Sequence, residues 1–370
     1  MTASVILFTG FPGFLGSELL PRVLAHTSAR SAVCLVQAKF ADLARRRLAE
    51  IEGRNPDISG RVELLEGDVT LPGLGTASSV ALAADVVEIY HLAAVYDLSV
   101  TKELGERVNV EGTRQVLGFA ERCPRLDSFH YVSTCYVSGK HPGLFTEVDL
   151  DRGQTFNNHY EETKFRAEVL VQDALRRGMP VVIYRPSIVV GDSATGETQK
   201  YDGPYYVIRW ILRQGRFALL PRLALLPMVG DPGTTRLNVV PRDFVVRAMA
   251  HLSADPRSRG LVFQLADPDP LTIDEIVSRV GSASGRTVIR IPLPLKVAKA
   301  AIDYVPFVES ILGIPSAAVD YFVHPTGYTA DNTIAHLKGS GIELPHLRDY
   351  LPTLVEYVRA NPDVPSAAMA

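Results

Sequence analysis

Short apolar runs and longer amphipathic stretches alternate along the first half of the chain. "SVILFT" (4–9) is apolar and β-branched and predicts a buried strand. "FLGSELLPRVLA" (14–25) repeats Leu15, Leu19, Leu20 and Val23 at helical spacing, with Pro21 expected to kink it. The same reading gives strands at 32–36, 62–67, 86–94, 128–134 and 180–191. It gives helices at 40–52, 104–122 and 158–178, the last stopping at Gly178.

Short buried strands separated by helices predict a parallel sheet covered on both faces. The fold class expected is α/β, a Rossmann-type doubly wound parallel sheet with a smaller, mixed C-terminal substrate-binding region. After about residue 190 prolines and aromatics interrupt short helices, and few strands are expected. The division expected is a dinucleotide-binding domain over 1–190, with strands at 236–241 and 261–266 returning to its sheet. Residues 191–235 and 267–370 form the substrate-binding region. The tail 361–370 reads as disordered.

Composition narrows the function classes. Apolar residues make up 46% and charged residues 21%, and the formal charge is −3, so nucleic acid is not the expected partner. Cys34, Cys123 and Cys135 lack metal-ligand spacing and read as buried thiols in a reducing, cytoplasmic compartment. The start "MTASVILFTGFPG" lacks the basic n-region of a signal peptide, and no run of about 20 apolar residues predicts a transmembrane helix. Peripheral membrane contact and oligomeric state stay open.

"TGFPGFLG" sets Gly10, Gly13 and Gly16 between the first strand and the first helix. Such a turn also serves plain backbone geometry. At a strand-to-helix junction, however, it lets backbone N–H groups approach a pyrophosphate. The candidate cofactor residues here are Gly10, Phe11, Pro12, Gly13, Phe14, Leu15 and Gly16. In "GDVT", Asp68 and Val69 follow the third strand, where Asp68 can accept from an adenine amino group or merely cap a turn. In "HLAA", Leu92, Ala93 and Ala94 end the fourth strand, where the small alanines allow close approach of a cofactor or simply pack the strand. The second strand ends "LVQAKF", with Gln37 and Lys39 where an NAD-specific site would carry an acid. Lys39 and Arg45, Arg46 and Arg47 can neutralise a 2′-phosphate, so NADP(H) is favoured over NAD(H).

"FNNHYEETKFRAE" (156–168) places Tyr160 and Lys164 one helical turn apart. A phenol titrates near about 10, and a nearby ammonium lowers that value. Tyr160 then exchanges a proton with a carbonyl or alcohol oxygen, Thr134 supplies a second hydrogen bond, and Lys164 can hold ribose hydroxyls. The plain alternative is an aromatic packed under a lysine stem. A second pair, Tyr136 and Lys140, crosses turn residues and carries no such expectation.

Together "TGFPGFLG", "GDVT", "HLAA", "NVEGT", "VSTCYVSG", "YEETK" and "RPSIVVG" resemble the extended short-chain dehydrogenase/reductases over residues 4–245. "FNNHYEETKFRAE", "YRPSIVVGDSATGE" and "LNVVPRDFV" resemble the fatty acyl-CoA reductase and thioester reductase branch. The resemblance implies a catalytic triad of Thr134, Tyr160 and Lys164. It also implies Asn109 beside the site, and Pro186, Ser187 and Ile188 on the cofactor. The branch usually has an arginine near the end of the second strand, where Gln37 stands here.

The expected activity is NAD(P)H-dependent reduction of an acyl thioester, on coenzyme A or a carrier protein, to aldehyde and on to alcohol where a second hydride follows. Hydroxysteroid-type dehydrogenase and nucleotide-sugar epimerase chemistry are alternatives on the same scaffold. A non-catalytic NADP sensor is the alternative from another class. Residues 205–229 are expected to line an acyl channel, through Tyr206, Trp210, Ile211, Phe217, Leu219 and Leu220, or else to pack into the core.

Overall fold

The computed structural model describes residues 4–27, 29–96, 98–214, 222–304 and 316–364. Its main sheet has seven strands, β1 (Val5–Thr9), β2 (Ser31–Val36), β3 (Val62–Glu66), β4 (Val86–His91), β5 (Ser128–Val132), β7 (Val181–Pro186) and β11 (Val262–Leu265). The order is β11-β7-β5-β4-β1-β2-β3, and every pairing is parallel. Parallel strands need crossovers, so helices lie on both faces and inner strands such as β1 and β7 are buried throughout, while the edge strand β3 is not. In β1, Ile6 and Phe8 join one apolar cluster while Leu7 joins another. This is the doubly wound α/β fold expected from the alternation. The strand order reverses between β1 and β4, the switch point at which such sheets bind ligands.

Three further two-stranded parallel ladders lie outside this sheet. They pair β6 (Gly143–Phe145) with β13 (Thr326–Tyr328), β8 (Ile188–Val190) with β10 (Val239–Pro241), and β9 (Leu223–Met228) with β12 (Thr287–Pro292). The expected strand 180–191 breaks after Pro186, where Ser187 N donates to the Leu265 carbonyl at 3.1 Å and β8 turns away. The expected return of 236–241 to the main sheet is therefore corrected, since its partner is β8. Residues 205–229 divide into the helix Tyr205–Arg213 and strand β9, in which Pro227 stands. Phe217, Leu219 and Leu220 lie outside the described residues. The second half also folds the helices Arg242–Ala254, Ile273–Ala283 and Leu347–Ala360.

The helix Gly16–His26 runs through Pro21, and the expected helix 104–122 is interrupted. An α-helical turn, Lys102–Gly105, leads into a π-helical stretch, Glu106–Glu111, before Gly112–Ala120 resumes. Such bulges often mark functional sites. This one turns Asn109 inward to 1% exposure. No helix among the described residues is long and apolar enough to cross a membrane.

Candidate active site

A cavity of about 820 Å³ opens at the carboxyl ends of β1 and β4. Its floor is the turn after β1. Gly10 has φ +92°, and a Cβ there would lie 2.8 Å from Ala93 N and 2.8 Å from the Leu92 carbonyl carbon. A Cβ at Gly13 or Gly16 would lie 2.7 or 2.6 Å from the Gly10 oxygen. The three glycines thus let the chain fold back on itself and lead into the helix Gly16–His26, leaving backbone open to a ligand. Beneath the turn, His91 lies between the hydroxyls of Thr9 (2.8 Å) and Thr113 (3.1 Å), and burial pulls its pKa down to about 3. It is a neutral brace.

Most of the sequence-derived cofactor and catalytic residues line this cavity: 10–16, Gln37, Lys39, Asp68, Val69, 92–94, Thr134, Tyr160, Lys164 and 186–188. Asn109 stands behind the wall. Its Oδ1 accepts from Val95 N at 2.9 Å, and its Nδ2 donates to Thr163 Oγ1 at 3.1 Å, tying the loop after β4 to the helix His159–Arg176. Arg45, Arg46 and Arg47 are not in the lining, and Arg45 and Arg47 pair with Asp42 and Glu50. Gln37 Nε2 donates to Asp68 Oδ2 at 2.9 Å, and Lys39 sits over the Phe40 ring.

The helix His159–Arg176 is fixed by its cap, because Asn158 Oδ1 accepts from Glu161 N at 3.0 Å. Tyr160, Lys164 and Glu168 follow at four-residue steps on one face. The Thr134 hydroxyl, on the same cavity wall as Tyr160, donates to the Pro186 carbonyl at 3.4 Å. Burial pushes the Tyr160 phenol up, the nearby Thr134 hydroxyl pulls it back, and the charges of Glu161 and Asp202 push it up again. Lys164 donates to Tyr131 Oη at 3.0 Å and to the Val132 carbonyl at 2.8 Å. Burial pulls this lysine down to about 7, against the opposing charge of Glu168. The two side chains share the cavity wall, and Lys164 bonds to Tyr131 and Val132 rather than to the phenol. The phenol stands above its usual range, not below it as the spacing suggested.

Glu168 is itself locked. It accepts from Ser133 Oγ at 2.5 Å and pairs with Arg185, both side chains being fully buried. The cavity wall also contains Tyr96, Tyr136, Lys200, Asp202, Tyr206 and Tyr321. Of these only Tyr206 was expected to face the substrate. Tyr136 packs edge-on against Tyr321, with centroids 4.8 Å apart, so the member of the discarded pair enters the site without its lysine. Ile211 packs into the apolar core instead, and Trp210 Nε1 donates to the Leu225 carbonyl at 2.7 Å.

A glycine cradle at the sheet's switch point, facing a Thr–Tyr–Lys wall, defines a nicotinamide-dependent oxidoreductase of the extended short-chain type. Residues 8–249 match the family model described as Male sterility protein, a group of NAD-binding domains, and the chain belongs to that family. It is 30% identical over 285 residues to a linear gramicidin synthase of Brevibacillus parabrevis, covering 74% of this chain and 5% of the synthase. The chain thus spans a small part of the length of that curated relative. Among solved structures, the terminal R domain from the myxalamid PKS-NRPS biosynthetic pathway superposes with TM-score 0.80 and 26% identity, covering 99% of this chain and 93% of that one. UDP-glucuronic acid 4-epimerase from Bacillus cereus, in complex with NAD, shares the fold at TM-score 0.66 and 21% identity, covering 96% of each chain.

Proposed function

We propose that the protein reduces acyl thioesters with NAD(P)H, releasing a thiol and an aldehyde. The observation that carries this is that Thr134, Tyr160 and Lys164 line one cavity whose floor is the glycine turn. The residues fit a dinucleotide. A Cβ would fill the cradle, and the buried Ser187 Oγ, on the cavity wall, has no partner among the described residues. Gly10, Gly13 and Gly16 would hold the pyrophosphate, Asp68 and Val69 the adenine side, and Lys164 and Ser187 the nicotinamide half. When bound, the reduced nicotinamide supplies the hydride.

Thr134 and Tyr160 would bind the thioester carbonyl oxygen. As hydride adds to the carbonyl carbon, the C=O π pair moves to oxygen, and the two hydroxyls stabilise that charge. Tyr160, kept protonated by burial, is the donor that neutralises it. The Tyr160 phenolate then takes that proton back as the oxygen's electron pair returns to carbon and the C–S bond breaks. The thiolate leaves and takes a proton from solvent, and the aldehyde remains. A second round, after exchange of the oxidised cofactor, gives the alcohol.

NADPH is the preferred reductant in this reading, because Gln37 replaces an acid after β2 and Lys39 lines the cavity. The thiol belongs to a carrier protein or to coenzyme A. In this reading 1–190 is the dinucleotide-binding domain, and 191–235 with 267–370 is the substrate-binding region, whose Lys200, Asp202, Tyr206 and Tyr321 line the cavity. Three buried free thiols support a reducing, cytoplasmic setting. The test is NADPH oxidation with acyl-coenzyme A and acyl-carrier thioesters, scored by thiol release, one per NADPH when the aldehyde is trapped and one per two when it goes on to alcohol. Oxidation without thiol release, or none with any thioester, contradicts the reading.

A further inference from the structure

A second polar cluster lines the same cavity beside Tyr160, and the chemistry above leaves it unused. Tyr96 meets the Tyr160 ring edge-on, with centroids 5.1 Å apart. The Lys200 ammonium lies 4.4 Å from the centre of the Tyr96 ring and 3.0 Å from Asp202 Oδ2. Asp202 is only 7% exposed. Leu98, Leu237 and Phe322 supply apolar wall in the same cavity.

The loop that carries the pair is held from both sides. Thr198 Oγ1 donates to the Lys200 carbonyl at 3.1 Å, and Tyr205 N donates to the Asp202 carbonyl at 3.1 Å. A Cβ at Gly203, with φ +53°, would lie 2.9 Å from Ile188 Cγ2. The pair is half-buried, with Lys200 partly open to solvent, and a brace for this loop could be built from apolar residues at less desolvation cost. Here the pair faces a space large enough for a substrate.

We propose that Asp202, Lys200 and Tyr96 bind a secondary amide lying next to the thioester carbon. An amide offers one N–H donor and one carbonyl acceptor. The Asp202 carboxylate accepts the first, and the Lys200 ammonium or the Tyr96 hydroxyl donates to the second. A plain hydrocarbon in the same place strips water from the charges and returns no hydrogen bond. The amide belongs either to an aminoacyl or peptidyl chain or to the pantetheine-type thiol arm, and both present the same groups. The inference rests on the thioester reading above.

Thioether analogues, which cannot be reduced, test it by calorimetry in the presence of NADP⁺. Four are needed, matched in length, with an amide on the acyl side, on the thiol side, on both or on neither. Wild type should bind an amide analogue about tenfold tighter than the all-hydrocarbon one, the worth of one hydrogen bond. The ratio should collapse in Asp202→Ala and shrink in Tyr96→Phe, which loses only a hydroxyl. Each ratio is taken within one protein, so a smaller folded fraction cancels. The side whose amide carries the preference identifies the source. No preference in wild type, or an unchanged ratio in Asp202→Ala, overturns the proposal and leaves the cluster as a loop brace. Turnover of the matching thioesters is a separate readout. If wild type reduces none of them the thioester reading fails, while the affinity ratio still decides the amide site.

Discussion

The Lys164 ammonium donates to the Tyr131 hydroxyl at 3.0 Å and lies 4.5 Å from the centre of that ring. It is 3% exposed, and burial pulls it down to about 7. An unfolded lysine titrates near about 10.4. Below both values the two states are equally protonated, and the folded state bears the full cost of the buried ammonium. Between them the unfolded chain holds the extra proton, so this group's contribution to stability rises with pH, by up to about 1.4 kcal/mol per unit. Urea unfolding from about pH 6.5 to about pH 9.5 should show that rise in wild type relative to Lys164→Met. Parallel curves for the two proteins would place the Lys164 pKa elsewhere.

Tyr160→Phe removes one hydroxyl and keeps the ring against Tyr96. Turnover should fall on the order of 100- to 10,000-fold, with cofactor affinity retained. Tyr136 packs edge-on against Tyr321 and, among the described residues, is not paired with a lysine, so Tyr136→Phe should cost far less. Steady-state rates and cofactor titration, run side by side on both variants, would falsify the assignment if the two losses were equal.

Gly10→Ala should damage cofactor binding and stability together. The position needs φ +92°, and the new methyl would press on the backbone of Leu92 and Ala93. A left-handed conformation alone costs a side chain roughly 1–2 kcal/mol. The checks are a thermal melt and an NADPH titration. An unchanged affinity would remove the turn from the binding site.

Glu168→Gln leaves Arg185 buried without its full counter-charge. Breaking such a pair costs about 3–5 kcal/mol. Denaturant unfolding should report a loss of that order, and a change near zero would mean that water enters to solvate Arg185.

Lys39→Ala should weaken NADPH more than NADH, because Lys39 stands on the cavity wall while Arg45 and Arg47 are paired elsewhere. Dissociation constants for both cofactors decide this, and an equal loss would take Lys39 out of the phosphate site.

The Rossmann half was legible because its signals are local. β1 is apolar at both faces, its glycines follow at once, and Asn158 announces the helix that carries Tyr160 and Lys164. The substrate side was not. Asp202, Lys200 and Tyr96 meet only because a loop near residue 200 crosses to the loop after β4, and neither segment has a periodic pattern. Pro227 within β9 and Pro292 at the end of β12 disguised a parallel pair. One usable signal went unread. "TIDE" (272–275) is a capping box, with Glu275 N donating to Thr272 Oγ1 at 3.2 Å, and it marks the start of Ile273–Ala283. The effect of burial on Tyr160 could not be read from i,i+4 spacing, because desolvation depends on the walls that the rest of the chain supplies.

The most direct test of the account is isotope transfer. NADPH carrying deuterium at the hydride position is mixed with an acyl thioester, and the trapped aldehyde is weighed by mass spectrometry. The account predicts one deuterium on the aldehyde carbon, one thiol released per NADPH consumed, and loss of both signals in Tyr160→Phe. An unlabelled aldehyde, or label transfer that Tyr160→Phe leaves intact, would contradict it.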